Sequence, residues 1–499
     1  MRTSWQRLAA LLTLCLAGAG AAAPQSPCLD LPALPAAPPA TGTLKVTDFG
    51  ADGRGQADDT AAIQRAIDAL QPGQWLVFPP GRYQHSAALV VRQRGVTLWG
   101  EGATLHATQP QSQALVLAAD GVSLLRFTLT AVTAQRGSQP QQSRIAVWRR
   151  EQPDQPIRGV TIRDNRILAA GAPGTDLANS ASSAGIFLYG ATGFLVAGNR
   201  IERSLADGIH ITAGSHDGRV LGNTVRETGD DMIGMVSYLG DGSFTRNTAA
   251  DLAATLPRRT EAKLVHDVLV ADNDLAGLYW GRGISVVGGR SITILRNHIA
   301  DSTRAAAIYL AREANYVTFG VQNVRVQDNV IEKVQTTTPR YSVGHAMAGR
   351  SGHAAIQLHA DLFEDERGQP ALAAALGLAD IAIVGNRVDG AASGGLRISG
   401  ARASLGPTGP ALNERRADGV MVARRLVRAS VQGVSVRSNQ FRAVQGAALA
   451  WPDAADDASV DCAGNQMDGR AVDGAMRCTA AAPLARAATG AALSGCAMP

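Results

Sequence analysis

The sequence predicts an all-β solenoid, a single-stranded parallel β-helix with a short N-terminal capping helix. Three observations predict it. An alternating apolar strand ending in Asn recurs along the chain, its central copies repeat about every 24 residues, and a second short strand follows each Asn at a fixed offset.

The first strand appears as 160–165, 194–199 and 219–223, then at 243–247, 268–273, 292–297, 324–329, 381–386 and 434–439. The central Asn residues, Asn199, Asn223, Asn247, Asn273 and Asn297, are spaced by 24, 24, 26 and 24. Alternation with period 2 marks strands with one buried face. Asn tolerates a left-handed turn and can hydrogen-bond to its copy in the next coil. The second strand opens on a small residue and an Ile, as in Ala184-Gly-Ile, Asp207-Gly-Ile, Arg282-Gly-Ile and Ala354-Ala-Ile. Two to three short strands per coil of this length describe a β-helix. A propeller blade needs four strands and a longer period. Aromatics at 4% and 54 glycines suit thin stacked strands better than a bulky core.

The ends follow from the same logic. Arg2 and Arg7, the apolar run 8–17 and Ala21-Ala22-Ala23 read as a signal peptide over 1–23, too short to span a bilayer. Pro/Ala-rich residues 24–43 are a flexible lead-in. Asp59 is a candidate N-cap for a helix over 60–70 whose Ile63, Ile67 and Leu70 share one face and cover the open end of the solenoid. Strands are expected at 75–78, 95–99 and 121–129. The β-helix is assigned to 44–452, and 453–499 to a C-terminal cap with cysteines. The regions 166–183, 250–266, and 335–380 with 400–428 break the period and are expected to wall a binding face.

Four cysteines remain after the leader, Cys28, Cys462, Cys478 and Cys496, all near the ends. An even number in an exported chain favours disulfides, with the pairing open, and no C-x-x-C spacing supports a metal site. A secreted or periplasmic, monomeric protein is expected, with no membrane insertion. The formal charge is +5, and +3 without the two leader arginines. No basic run interleaved with aromatics points to nucleic acid.

Reading the residue two before the inward Ile or Leu of the second strand gives a column: Ala184, Asp207, Asp231, Arg282, Ala306, Ala354 and Gly394. Small residues hold it except in the middle. Asp207 and Asp231 each stand eight residues after their Asn, so they share one phase on successive coils, with Asp230 alongside. Three carboxylates this close cannot all ionise freely, and at least one pKa should rise, as a general acid near neutral pH requires. Stacked aspartates at solenoid turns also cap backbone amides or bind calcium. Arg282 serves the substrate or neutralises the acids. Outward positions of the same strands add His210, Thr212, Tyr309, Gln357, His359 and Arg397, a polar face suited to sugar hydroxyls. Tyr238, Tyr279 and Trp280 flank it and could stack on a sugar ring.

The run 46–68, Val46-Thr-Asp-Phe-Gly-Ala-Asp-Gly through Ala-Ile-Gln-Arg-Ala-Ile-Asp68, resembles the opening of the pectate-lyase-like superfamily. Gly229-Asp230-Asp231 is similar to the paired-aspartate motif of polygalacturonases, glycoside hydrolase family 28, and Asp207-Gly-Ile to their preceding aspartate. Gly281-Arg282-Gly283 stands where they carry Gly-His-Gly, and their later Arg-Ile-Lys is replaced by Ile308-Tyr309-Leu310, with only Arg397-Ile398-Ser399 preserving part of it. The resemblance implies a right-handed β-helix acting on a polysaccharide or oligosaccharide by inverting hydrolysis, Asp230 as acid and Asp207 with Asp231 as bases, without a cofactor. The missing grip on a galacturonate carboxylate puts pectin in doubt. The alternatives are a lyase or C5-epimerase on a uronate polymer, with His210, Tyr279 or Tyr309 as base and Arg282 or calcium neutralising the carboxylate, and a non-catalytic carbohydrate-binding β-helix.

Overall fold

Apolar residues at every second position give strands that bury one face, and here three such strands per coil bury it towards a common axis. The computed structural model describes residues 30–132, 137, 139–168, 183–241, 247–278, 281–337, 351–400, 411–415, 419–450 and 460–472. Among these, successive coils stack in parallel register into sheets of 15, 14 and 13 strands, termed sheets 1, 2 and 3. One coil runs Leu195–Ala197 in sheet 1, Arg200–Glu202 in sheet 2 and Ile209–Thr212 in sheet 3, then re-enters sheet 1 at His216–Leu221. Parallel pairing to the next coil fixes the register, for example Ile209↔Ile233 and Ile211↔Met235 in sheet 3. Those residues face the interior and are fully buried. One continuous apolar core fills the tube from Val46 to Cys462.

The Asn column is a ladder between sheets 1 and 2. From Asn165 through Asn199, Asn223, Asn273, Asn297, Asn329, Asn386 and Asn439 to Asn465, each backbone N–H and side-chain amide donates to the next Asn Oδ1 at 2.8–3.1 Å. Two expectations fail here. Asn247 is not a rung, because Asn223 bonds directly to Asn273 and Asn247 instead accepts from Asp241 N ahead of an inserted helix. The even spacing through it is accidental. The left-handed residue is also not the Asn but the one before it, such as Asp164, Gly198, Gly222 and Asp272. A left-handed residue turns the chain, and the Asn after it can then aim its amide along the stack.

Helix α1 (Thr60–Asp68) covers the N-terminal opening with Ile63, Ile67 and the following Leu70. Asp59 precedes it without capping it: its carboxylate accepts from Asp52 N at 3.0 Å, while Asp58 accepts from Thr60 N. Over its described part the lead-in is held down, with Leu31 packed on an outward apolar cluster of sheet 1 (Leu195, Leu221, Leu269 and neighbours) and Pro32 O accepting from Arg163. Stacking also continues past residue 452, where Val460–Ala463 pairs with Val431–Arg437. Of the four cysteines beyond the leader, Cys462 lies in this strand and Cys28, Cys478 and Cys496 lie outside the described residues.

The period breaks between sheets 3 and 1 hold helices α2 (Ala249–Lys263), α3 (Glu364–Arg367) and α4 (Pro370–Leu376), with an antiparallel hairpin of Ala411–Arg415 and Met421–Arg428. Thr248 Oγ1 caps α2 by accepting from Asp251 N at 3.1 Å. Fully buried Arg312, at the end of a sheet 3 strand, anchors α3 through two 2.9 Å bonds to the equally buried Glu366. Charges this deep persist only when paired. No helix among the described residues is long and apolar enough to cross a membrane.

Candidate active site

Register brings the polar residues together. Backbone bonds from Gly208 N to Asp231 O and from Met232 N to Arg282 O set Asp207, Asp231 and Arg282 on consecutive coils at the entrance to sheet 3. Nearest oxygens of Asp207, Asp230 and Asp231 lie within 4.8 Å of one another. Asp207 and Asp231 are buried and Asp230 is half-exposed. Beside them the outward column of sheet 3 runs Phe187, His210, Gly234, Ser285, Tyr309, Gln357 and Arg397.

Each buried acid is saturated with donors. Asp207 Oδ1 accepts from Asp231 N at 3.1 Å, and Oδ2 pairs with His210 Nδ1 at 2.5 Å. Asp231 Oδ1 accepts from Arg282 N at 2.6 Å, with the guanidinium at 3.6 Å, and Oδ2 accepts from Ser285 Oγ. Arg282 also pairs with Glu313 and lies 4.3 Å over the Tyr309 ring. Two glycines make the space. A Cβ on Gly281 would sit 2.4 Å from Asp231 Oδ1 and 2.5 Å from Asp230 Oδ1, and one on Gly234 would sit 2.6 Å from Asp207 Oδ2.

Burial pushes the Asp231 carboxyl up to about 7; the Arg282 charge opposes the rise, and Asp230 and Asp207 add to it. Burial lowers His210, but its bond to Asp207 and the surrounding carboxylates outweigh that and raise it. Against burial, the acids and Glu313 hold Arg282 firmly protonated. His353 stacks on Tyr309 with ring centroids 5.3 Å apart, and burial with Arg282, His359, Arg304 and Arg397 nearby drives it down to about 3, so it is neutral. The three acids are close enough to share a cation of calcium size. Arg282 already places positive charge against Asp231, and His210 bonds Asp207.

Other expected residues fall differently. Tyr238 stands 42% exposed at the rim, within reach of the Asp207, Glu313 and Asp230 charges. Thr212 is buried, donating to Val236 O. Gln357 faces outward by register but is covered: it is 2% exposed and spends its amide on Ser399 Oγ, Leu358 O and Ala354 N, so it offers nothing to a ligand. His359 pairs with Ser399 Oγ at 3.1 Å, and Arg397 donates to Gly352 O and Ser393 O. Both are half-buried, several coils from the acids. Tyr279 and Trp280 lie outside the described residues. Ser285 and Glu313 were missed. Ser285 was legible as the outward residue between Gly234 and Tyr309. Glu313 lies just beyond its strand, where alternation carries no signal.

Residues 43–131 match the family model for rhamnogalacturonase A/epimerase, pectate lyase-like proteins, and 184–405 match the model for the right-handed β-helix region. The chain is thus a right-handed parallel β-helix whose first coils match the pectate-lyase-like model. Neither match singles out polygalacturonases. Among solved structures, the catalytic unit of a thermostable family 87 α-1,3-glucanase from Streptomyces thermodiastaticus aligns with TM-score 0.54 and 18% identity, over 86% of this chain and 65% of that one. The catalytic domain of a family 87 α-1,3-glucanase solved with tetrasaccharides aligns with TM-score 0.52 and 14% identity, over 88% and 68%. The chain therefore spans about two thirds of those structures, and the likeness is one of fold. Comparison with curated proteins returns no match.

Proposed function

We propose that this protein is an exported polysaccharide hydrolase that cuts a glycosidic bond at Asp207, Asp230 and Asp231. One observation carries the reading: three carboxylates converge within 4.8 Å on the outer face of one sheet, with Asp231 pushed to about 7. Such a cluster titrates as a unit and keeps a proton near neutral pH. The proton the cluster retains leaves through Asp230, the most exposed of the three, to the leaving oxygen, so that Asp207 and Asp231 are both ionised. Asp207 and Asp231 then take one from the attacking water. Arg282, held by Glu313 and Tyr309, steadies charge as it develops. An inverting pair commonly stands roughly 6.5–9.5 Å apart so that water fits between. Here the nearest oxygens lie within 4.8 Å, shorter than that range, so the spacing does not select inversion and the anomer of the product decides the stereochemistry. Export through the 1–23 leader and a monomeric state belong to the same proposal.

The bond between Asp207 and His210 favours a second reading, a lyase or C5-epimerase in which His210 removes a proton beside a uronate carboxylate. The Asp207 bond and the surrounding carboxylates raise the His210 pKa, which favours the protonated imidazole over the free base this reading needs. Purified protein incubated with polyuronates and α-glucans decides between them. A hydrolase yields a new reducing end, with anomeric NMR reporting inversion or retention, whereas a lyase yields an unsaturated product absorbing in the ultraviolet. Full activity in Asp230→Asn would overturn the hydrolase.

A further inference from the structure

We infer a second carbohydrate-binding subsite, for a distal segment of the same polysaccharide, in the cavity walled by Trp148. The inference rests on the reading that the ligand is a sugar chain lying along sheet 3. The cavity holds about 300 Å³, the lower end of the range for small-molecule sites. Its floor is Val90, Val116 and Ala118, its sides include Gln141 and Trp148, and Arg150 stands at its rim.

Three observations carry it. The first is continuity. Val90, Val116, Ala146, Phe187 and His210 occupy one outward column on consecutive coils, so the cavity and the acids share one sheet face. Phe187 joins the two, with its ring stacked on His210 at 4.8 Å. Three rungs separate Val116 from His210, roughly 14 Å at sheet spacing, the reach of a short run of sugar units. The second is chemistry. An apolar floor beside a half-buried indole suits the C–H face of a pyranose, and the amide and guanidinium around it suit hydroxyls. The third is an open acceptor: Gln141 Oε1 is buried and has no hydrogen-bond partner. A buried acceptor left unpaired is costly, and turning the Gln141 side chain into the cavity would let a ligand hydroxyl satisfy it.

The test compares wild type, Trp148→Ala, the cavity-filling Ala118→Trp, and Asp230→Asn on a long polymer and on a disaccharide of the same sugar, too short to span both sites. Both cavity variants should raise KM for the polymer by about tenfold, while kcat and disaccharide kinetics stay at wild-type values. Unchanged polymer KM in both, with turnover abolished in Asp230→Asn, overturns the subsite and leaves the hydrolase standing. If Asp230→Asn keeps its turnover, or no variant turns anything over, the hydrolase falls, and affinity electrophoresis through polygalacturonate, alginate and carboxymethyl α-1,3-glucan decides the subsite alone. Retardation of wild type that Trp148→Ala loses supports it. Equal retardation, or none in any gel, overturns it.

Discussion

Asp231 stands one coil above Asp207, and its backbone N–H donates to the Asp207 carboxylate at 3.1 Å. The acid on one rung is thereby aimed by the main chain of the next, so the cluster's geometry belongs to the stacking of the solenoid and not to a flexible loop. Substitution should then separate chemistry from stability. Asp230, half-exposed, should lose activity by about a thousandfold as Asn, with a thermal midpoint close to wild type. Asp231→Asn should lose activity as well but fold at least as stably, because a buried, repelled carboxyl is replaced by a neutral amide. Product assays and thermal melts on both variants check this.

The pH dependence of stability follows from the same pair. Asp231 has a folded pKa near 7, above its unfolded value of 3.8. Between those values the folded state binds a proton that the unfolded chain has released, so stability falls as pH rises through this window, by up to about 1.4 kcal/mol per pH unit. His210, also raised, adds stability below its unfolded pKa that is lost as pH climbs through its folded one. Both act in one direction. Urea unfolding from pH 4 to 8 should show greater stability on the acid side, and Asp231→Asn should flatten the slope; an unchanged slope in that variant contradicts the assignment.

The Asn ladder separates a true rung from an apparent one. Asn273→Ala leaves Asn223 N and Val220 O buried without their partners, costing about 2–4 kcal/mol. Asn247→Ala loses an acceptor for Asp241 N in an insertion and should cost about 1 kcal/mol. Midpoints of denaturant unfolding for the two variants give the comparison, and equal losses would argue that Asn247 stacks after all.

Alternation and the Asn spacing made the solenoid legible because each coil repeats one physical problem, burying one face and turning. The same period placed Asp207 and Asp231 in phase, since stacking converts equal offsets from Asn199 and Asn223 into adjacency. It misled at Asn247, where an inserted helix imitated a coil's length. It was silent on Glu313, which reaches Arg282 from beyond a strand end, and on Gln357, whose outward position is roofed over. Period specifies what faces outward, whereas long insertions decide what remains open.

Gly281 and Gly234 leave the acids their room without needing a left-handed backbone. An added methyl at either would meet a carboxylate oxygen at 2.4–2.6 Å, so the acids must move. Displacement of catalytic groups by about 1 Å can cost on the order of a hundredfold in rate. Gly281→Ala and Gly234→Ala should therefore cut kcat by about that factor while circular dichroism stays that of the folded solenoid. A wild-type kcat in both would mean the acids are not the reacting groups.

Arg282 joins three functions, and its two replacements should distinguish them. Its backbone N–H bonds Asp231 whatever the side chain, so the acid stays aimed in any variant. Its guanidinium lowers the Asp231 pKa, pairs with Glu313 and stacks on Tyr309. Arg282→Ala removes the opposing charge, so Asp231 should titrate still higher and any limb of the pH–rate profile set by the cluster should move to higher pH. It also leaves Glu313 half-buried without its cation, a loss of about 1–3 kcal/mol in stability. Arg282→Lys keeps the charge but not the planar fork over the ring, and the two side chains are not equivalent at a stacked site. The lysine variant should hold the limb near its wild-type position and still lose rate, because the charge is present but no longer fixed against Asp231. A pH–rate profile for each variant makes the measurement, and a limb that moves equally in both would show that orientation, not charge, sets the proton affinity of the cluster.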